Sequence, residues 1–170
     1  MVVWINGAFG AGKTTMARRL VRMRRGAWLF DPEQIGFMLR KLLPRDQQPP
    51  DFQDLPIWRE MTVDALTAAA ADPSRTPVVP MTLVNPDYFR EIVGGLRDRG
   101  IDVRHFSLVA SPATLRRRIR WRADWPSSRR WALAQLERCA SALAEPEFAI
   151  HIPTDERGIA EIAQDILTRL

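Results

Sequence analysis

A glycine-rich stretch near the start of the chain constrains the fold more than any other feature. Residues 5–15 read INGAFGAGKTT, and the stretch from Gly7 to Thr14 satisfies the pattern G-x-x-x-x-G-K-[ST]. Its glycines let the backbone turn tightly and aim N–H groups at a phosphate held at the N-terminus of the following helix. The lysine of this pattern reaches the β- and γ-phosphate oxygens, and the threonine hydroxyl binds Mg²⁺. The pattern predicts ATP and Mg²⁺ as cofactors, with Thr14 as the metal ligand and nucleotide contacts from Gly7, Phe9, Gly10, Ala11, Gly12, Lys13, Thr14 and Thr15.

Strand and helix patterns alternate along the chain. Short apolar, β-branched runs predict strands at residues 2–6, 27–30, 76–79, 103–110 and 148–152. The third strand is expected to end near Val79, because Pro80 has no N–H to donate to a strand ladder. The second predicted helix has Asp31 as its N-cap and Pro32 at its first helical position. This alternation indicates an α/β fold, a five-stranded parallel sheet with helices on both faces. The small size, the early glycine-rich loop and a late cluster of arginines favour the P-loop NTPase fold of the nucleoside-monophosphate-kinase type.

Length and composition favour one domain in a reducing compartment. The 170 residues suffice for a single P-loop kinase-like domain over residues 1–170 and contain no run near the roughly 20 apolar residues of a membrane span. No secretory signal pattern is present, and the single cysteine, Cys139, has no partner for an internal disulfide. We therefore expect a cytoplasmic protein without an integral membrane segment. The formal charge of +5 fits either a nucleic-acid partner or a small anionic substrate.

The sequence lacks the motifs of several other P-loop classes. It has no N-K-x-D guanine-reading motif, and its third strand lacks the acid that a transporter ATPase carries there. Its small size favours a small-molecule kinase. Asp31 is the first acid after the second strand, where ligands of open α/β sheets bind, and it is the predicted catalytic base or a helper in holding Mg²⁺. A simple N-cap is the alternative role of Asp31, and Glu33 is a second candidate at the same place.

Seven arginines lie in a lid-like segment around residues 116–131. Phosphoryl transfer spreads negative charge over the equatorial phosphate oxygens, and a positioned arginine stabilises that charge. Helical geometry places Arg118 and Arg122 beside the apolar stripe of this segment, whereas Arg117 points nearly opposite. We therefore predict catalytic roles for Arg118 and Arg122 alongside Lys13, with Arg118 also contacting the nucleotide. A solvated basic helix is the alternative. The tryptophans interleaved with these arginines are more typical of packing than of a nucleic-acid surface.

Two other segments are predicted to supply the binding site for the phosphoryl acceptor. DFQDLPIWRE, residues 51–60, and VPMTLVNPDYF, residues 79–89, combine aromatic and polar side chains in the way that ligand pockets do. Taken alone, Trp58 is more typical of a core residue. The predicted substrate-binding residues are Glu33, Phe37, Arg40, Gln53, Trp58, Arg59, Met81 and Thr82.

Five stretches together resemble a known family over nearly the whole chain. WINGAFGAGKT, DPEQIGFMLR, DFQDLPIWR, VPMTLVNPDYFREIVGGLR and HFSLVASPATLRRRIRWRA resemble the tunicamycin-resistance proteins, P-loop proteins distantly similar to chloramphenicol phosphotransferase. The resemblance implies ATP binding through Gly10, Gly12, Lys13 and Thr14, and resistance to tunicamycin, a uridine nucleoside with sugar and acyl parts. By position, Asp31 is the counterpart of the base of the chloramphenicol enzyme.

The leading hypothesis is an ATP-dependent phosphotransferase that phosphorylates a hydroxyl of a tunicamycin-like nucleoside antibiotic. Three alternatives remain: a protein that binds ATP and sequesters the antibiotic unmodified, a kinase of another nucleoside or small metabolite, and a nucleic-acid-binding NTPase. The expected partner is a small molecule and not nucleic acid, and the chain is expected to be a monomer or a homodimer.

Overall fold

A parallel sheet of five strands forms the centre of the computed structural model, which describes residues 1–121 and 125–170. The strands are β1 (Val2–Gly7), β2 (Ala27–Leu29), β3 (Thr76–Pro80), β4 (Val103–Val109) and β5 (His151–Pro153). They pair in the order β2-β3-β1-β4-β5, and every pairing is parallel. The predicted α/β class and the five-stranded parallel sheet are therefore confirmed.

Strand β1 is the middle of the sheet and is buried along its whole length. Trp4 lies opposite Val79 of β3 on one side and opposite His105 of β4 on the other. Side chains of successive strand residues point to opposite faces, so continuous burial requires cover on both faces of the sheet. Because the strands are parallel, the carboxyl ends of β1, β3 and β4 meet at one edge, where the glycine-rich loop begins.

The strand boundaries differ from the sequence-based prediction by one residue in β1 to β4 and by more in β5. Strand β3 includes Pro80, which lies opposite Ile5; the ladder continues because the N–H of Met81 donates to the carbonyl of Ile5 (3.1 Å). Strand β5 starts at His151 rather than at residue 148, since Phe148 ends a 3₁₀ turn whose proline and apolar ring imitate the start of a strand.

Helices connect the strands and cover the sheet. They are α1 (Lys13–Met23), α2 (Glu33–Leu42), α3 (Pro56–Ala69), α4 (Pro86–Phe89), α5 (Gly95–Asp98), α6 (Pro112–Arg120), α7 (Pro126–Ala142) and α8 (Ile159–Leu167). Residues Arg90–Gly94 join α4 to α5 as a π-helical segment, so the chain from α4 to α5 is continuously helical with one widened turn. No helix in the described ranges is both long enough and apolar enough to cross a membrane.

The start of α2 shows how Asp31 acts locally. Its Oδ1 atom accepts from the N–H of Glu33 (3.1 Å), and its Oδ2 atom accepts from the side-chain amide of Gln34 (3.2 Å). The helix itself begins at Glu33, one residue later than predicted, and Pro32 occupies the boundary position. The prediction that Asp31 is the N-cap is therefore wrong by one residue: Pro32 is the N-cap, and the Asp31 carboxylate accepts from the first helical N–H from the position before it.

Candidate active site

The glycine-rich loop joins β1 to α1 with two glycines in the left-handed region. Gly10 has φ +83° and Gly12 has φ +95°, a conformation that L side chains rarely adopt. A Cβ at Gly10 would also stand 2.9 Å from the carbonyl oxygen of Leu115, so glycine is required there for the close approach of α6. The Lys13 ammonium donates to the carbonyls of Gly7 (2.9 Å) and Ala8 (3.2 Å), which bends its side chain over the loop. The geometry is that of a phosphate-binding loop at a helix N-terminus.

A buried asparagine anchors the beginning of this loop. Asn6 has no exposed surface; its Oδ1 accepts from the N–H groups of Gly7 (2.9 Å) and Leu83 (3.0 Å), and its Nδ2 donates to the Leu83 carbonyl (2.8 Å). Its Nδ2 also faces Nε2 of His105 (3.2 Å), whose Nδ1 lies 3.1 Å from the carbonyl of Ala149. A carbonyl only accepts, so Nδ1 carries the proton and Nε2 accepts from Asn6. Burial lowers the pKa of His105 to about 4, which fits this neutral ring.

Asn6 was not among the predicted site residues. The signal in the sequence is a polar residue at the end of an otherwise apolar strand, directly before the glycine-rich loop. A buried amide in such a place needs partners for its oxygen and both N–H groups. The structure shows that those partners include the segment after β3, which the sequence had assigned to the acceptor site.

One cavity, of about 440 Å³, lies along the glycine-rich loop. We refer to it as the nucleotide cavity, and seven of the predicted nucleotide-site residues line it: Gly10, Ala11, Gly12, Lys13, Thr14, Thr15 and Arg118. Gly7 does not line it, because its amide and carbonyl are both used in the hydrogen bonds behind the loop. The predicted residue Arg122 lies outside the described residues.

Arg118 reaches the nucleotide cavity from α6. Its two terminal nitrogens donate to the hydroxyl (3.0 Å) and the carbonyl (2.8 Å) of Thr154, the residue after β5. Arg157 lines the same cavity and is held by Glu161 (2.6 Å) and Asp165 (3.2 Å) of α8. The cavity therefore has two guanidinium groups whose positions are fixed by hydrogen bonds, a suitable arrangement for polyphosphate.

Thr154, Arg157 and the apolar residues Ile159 and Ile162 were missed as lining residues of the nucleotide cavity. They lie more than 140 positions after the loop in the sequence but at the same edge of the sheet, since β5 runs parallel to β4. The carboxyl ends of parallel strands gather at one edge, so residues just after β5 were candidates on topology alone.

The residues present are compatible with a magnesium ion. Among the described residues, no group of three or more His, Cys, Asp or Glu side chains is arranged to hold a metal. The exposed Thr14 hydroxyl lines the nucleotide cavity and is an oxygen donor of the kind that Mg²⁺ binds together with phosphate oxygens and water. The donor set thus fits an ion bound mainly through nucleotide phosphates.

A second cavity, of about 550 Å³, is lined by Phe9 of the loop and by residues that follow β2 and β3. We refer to it as the acceptor cavity, and six predicted substrate-site residues line it: Glu33, Phe37, Arg40, Gln53, Met81 and Thr82. The Thr82 hydroxyl donates to the Gly7 carbonyl (2.9 Å), which ties this cavity directly to the glycine-rich loop.

Aromatic rings form much of the acceptor cavity wall. Phe9 and Trp131 meet edge to face with ring centroids 4.8 Å apart, and Phe37 and Phe52 do so at 6.3 Å. Phe9 was predicted as a nucleotide contact; it instead lines the acceptor cavity, where its ring packs against Trp131. Trp131 remains half exposed, so the cavity offers a flat apolar surface that still contacts solvent.

Trp58 and Arg59 are the two predicted substrate residues that the structure moves behind the acceptor cavity. Trp58 is fully buried, and its indole N–H donates to the carbonyl of Pro32 (3.0 Å). Arg59 is 8% exposed and pairs with Glu91 (2.5 Å), so its guanidinium is directed into the protein. Both belong to α3, which contacts α2, α5 and the segment Arg90–Gly94, and neither lines the nucleotide cavity or the acceptor cavity.

Helix α7 supplies an unpredicted wall of the acceptor cavity. Its contributing residues are Ser127, Ser128, Trp131, Ala132, Arg138 and Cys139. Burial raises the pKa of the Cys139 thiol, an effect that the nearby cations Arg138 and Lys13 oppose. Lys13, which lines the nucleotide cavity, therefore also acts electrostatically on a residue of the acceptor cavity. By contrast, Trp121 and Trp125 are more than four-fifths exposed and not packed as expected.

Asp31 lines neither cavity, whereas Glu33 lines the acceptor cavity. Both follow β2, at the carboxyl edge of the sheet. A carboxylate offers about four lone-pair positions, and the two hydrogen bonds of Asp31 leave capacity for another donor.

Sequence comparison places the chain in a family. A family model described as an AAA domain matches residues 2–146. The chain belongs to this AAA domain family. Its P-loop core is therefore established both by the match and by the geometry of the loop. The comparison with curated proteins gives no match.

Solved structures show which proteins share this fold. The tunicamycin resistance protein of Deinococcus radiodurans is 31% identical, with a TM-score of 0.81, over 99% of this chain and 94% of that chain. The resemblance inferred from the sequence is confirmed. A gluconokinase from Sinorhizobium meliloti 1021 is 16% identical with a TM-score of 0.69, covering 98% of this chain and 89% of that one. The Mycobacterium tuberculosis APS kinase, in complex with AMPPNP and APS, is 19% identical with a TM-score of 0.59, covering 98% and 95%. The P-loop kinase-like fold is thus confirmed.

Proposed function

We propose that this protein is an ATP-dependent phosphotransferase that phosphorylates a hydroxyl of a tunicamycin-like nucleoside antibiotic and thereby confers resistance in the cytoplasm. One observation carries the proposal: a single glycine-rich loop contributes to two cavities, with residues 10–15 lining the nucleotide cavity and Phe9 lining the acceptor cavity. A kinase needs such a pair, since the phosphoryl donor and the acceptor must approach each other from two sides. Similarity to the Deinococcus protein supports the choice of antibiotic.

On the nucleotide side, the loop amides and Lys13 hold the phosphates of ATP, and Arg118 stabilises the charge that develops on the transferred group. Arg122 shares that role in the proposal. Thr14 supplies a hydroxyl to magnesium. When bound, the ion neutralises negative charge on the phosphates.

On the acceptor side, the aromatic rings bind the planar or apolar parts of the antibiotic, and the polar side chains orient its hydroxyl. Asp31 is the proposed base that takes the hydroxyl proton as the oxygen attacks phosphorus. Glu33, which reaches the acceptor cavity, binds the substrate close to that base. Exclusion of water by the bound antibiotic favours transfer over hydrolysis of ATP.

The direct test is to incubate the purified protein with ATP, Mg²⁺ and tunicamycin and to follow the mass of the drug. We expect the gain of one phosphoryl group, and fragmentation then locates the modified hydroxyl. The variant Lys13→Ala serves as the control, because it removes the phosphate-binding ammonium and should abolish the gain.

Two results would contradict this function in different ways. Tight binding of unmodified drug would indicate sequestration. Absence of both binding and modification would indicate that the acceptor is another nucleoside or small metabolite, or that the protein is a nucleic-acid-stimulated NTPase. Hydrolysis of ATP that rises on addition of DNA or RNA and falls steeply with salt would identify the last case.

A further inference from the structure

Gln53 is held in one orientation by three hydrogen bonds. Its backbone N–H donates to Asp51 Oδ1 (3.0 Å), and its carbonyl accepts from the guanidinium of Arg59 (2.5 Å). Its side-chain Nε2 donates to the backbone carbonyl of Thr82 (2.8 Å). A backbone carbonyl only accepts, so the amide nitrogen must face Thr82 and the Oε1 atom must face elsewhere.

Two oxygen atoms at this wall of the acceptor cavity are available to accept hydrogen bonds from a ligand. Gln53 lines the cavity, and its Oε1 atom has no partner among the residues that the structure describes. The Thr82 hydroxyl donates its hydrogen bond to the Gly7 carbonyl, so only the lone pairs of its oxygen remain for a ligand. Both residues therefore present oxygen lone pairs to whatever occupies the cavity, through Gln53 Oε1 and the Thr82 hydroxyl oxygen.

We propose that Gln53 and Thr82 select acceptor molecules that present a hydrogen-bond donor, an imide N–H or a hydroxyl, at this wall. The inference rests on the proposed function, because it assumes that the phosphoryl acceptor occupies this cavity. A molecule without a donor at this position leaves the Oε1 atom of Gln53 and the lone pairs of Thr82 without a partner. A site built to pair with a substrate donor discriminates strongly, since the unmatched polar groups stay desolvated and unpaired.

Arg59 is a positioning residue for this contact. It is nearly buried, pairs with Glu91 (2.5 Å) and stacks over the ring of Tyr88, 4.1 Å from its centroid. These interactions fix the guanidinium that binds the Gln53 carbonyl. Arg59 lines neither cavity, so it affects substrate binding only through the backbone of Gln53.

The test compares Gln53→Met with the wild type in steady-state phosphorylation of tunicamycin. Methionine keeps the length of the side chain but offers no comparable acceptor, and we expect the KM for the drug to rise about tenfold while the KM for ATP stays unchanged. Gln47→Met is the matched control. Like Gln53, Gln47 lies between α2 and α3, but it is exposed and makes no side-chain hydrogen bond among the described residues. Its replacement should therefore leave both constants unchanged.

A double variant tests the role of Arg59. Arg59→Lys keeps the charge but loses the forked guanidinium, and we expect the KM for the drug to rise several-fold. If Arg59 acts through Gln53, the variant Gln53→Met with Arg59→Lys should have the same KM for the drug as Gln53→Met alone. If the increases in KM caused by the two single substitutions multiply in the double variant, Arg59 acts independently of Gln53 and its assigned role is overturned.

Tunicamycin methylated at the imide nitrogen of its uracil tests which group of the drug is the hydrogen-bond donor. If wild type loses affinity for this derivative and Gln53→Met does not, the imide is the group that is read. If both proteins treat the derivative like the parent drug, while Gln53→Met still raises the KM, the donor is a hydroxyl.

The outcomes separate this inference from the proposed function. Absence of binding and phosphorylation in the wild type refutes the proposed function. Normal phosphorylation by the wild type, with an unchanged KM in Gln53→Met, overturns the inference alone. If Gln53→Met does not fold, Gln53→Asn retracts the same amide by one carbon and should raise the KM in the same way.

Discussion

Replacing Asn6 by alanine should be among the most destabilising single changes in this protein. The side chain has no exposed surface and joins three parts of the molecule: the amide of Gly7, both backbone groups of Leu83 and the ring of His105. Truncation leaves four buried polar groups without their partner. Asn6→Ala therefore tests whether this network holds the glycine-rich loop against the segment after β3.

The size of the effect follows from those four groups. A buried donor or acceptor left unpaired costs about 1–3 kcal/mol. The removed amide leaves room for about one water molecule, which can restore some of the hydrogen bonds. We therefore expect a loss of about 3 kcal/mol, a large part of the roughly 5–15 kcal/mol that stabilises a typical domain. For a chain of 170 residues this corresponds to a fall in Tm of about 6–12 °C.

Denaturant and thermal unfolding measure this loss, and Asn85→Ala is the matched control. Asn85 is the other asparagine of the chain and caps α4 by accepting from the N–H of Asp87 (2.8 Å) at an exposed position. Loss of such a cap costs about 1 kcal/mol. If Asn6→Ala costs no more than Asn85→Ala, the buried network does not contribute as argued.

Three further predictions follow from single contacts. In the folded protein the pKa of His105 is about 4, below its ordinary value of 6.5. The folded state therefore binds fewer protons than the unfolded state between these values. The stabilisation by the neutral ring is complete above pH 6.5 and is lost as the pH falls towards 4. Between pH 7 and pH 5 the wild type should lose about 2 kcal/mol more than His105→Gln in denaturant titrations; equal losses would contradict the buried neutral ring. Gly36→Ala adds a Cβ only 2.6 Å from the ring of Phe52, so we expect a destabilisation of about 1–3 kcal/mol and a higher KM for the acceptor. A gain in stability would show that the ring moves aside without cost. Asp31→Asn should lower kcat at least 100-fold with ATP affinity nearly intact, whereas Glu33→Gln should mainly raise the KM for the acceptor; the reverse pattern would assign the base to Glu33.

The parts of the molecule that local sequence determines were predictable. The loop from Gly7 to Thr14 combines glycines for positive φ, a lysine and a hydroxyl within eight residues, and no long-range information is needed to interpret it. The strands are also local, because their apolar runs must be buried on both faces. Errors arose where a residue type misleads, as at Phe148, whose buried ring belongs to a 3₁₀ turn.

The parts that depend on tertiary packing were not predictable in the same way. Gln53 and Arg59 belong to one short segment and were assigned to one surface, yet a 3₁₀ turn at Phe52–Asp54 followed by α3 sends them in different directions. Arg157 and the wall contributed by α7 reach the site only through the order of the strands and the path of the last helices. Spacing in the sequence carries no such information.

The carbonyl of Gly7 is hydrogen-bonded to one lining residue of each cavity. It accepts from the ammonium of Lys13, a lining group of the nucleotide cavity, and from the hydroxyl of Thr82, a lining group of the acceptor cavity. Near-attack geometry in phosphoryl transfer requires the donor and acceptor atoms to be held about 3–3.5 Å apart, and small displacements are costly. One backbone oxygen, next to an amide that Asn6 fixes, therefore positions one lining side chain of each cavity. This shared anchor favours transfer between two bound molecules over simple binding of either one.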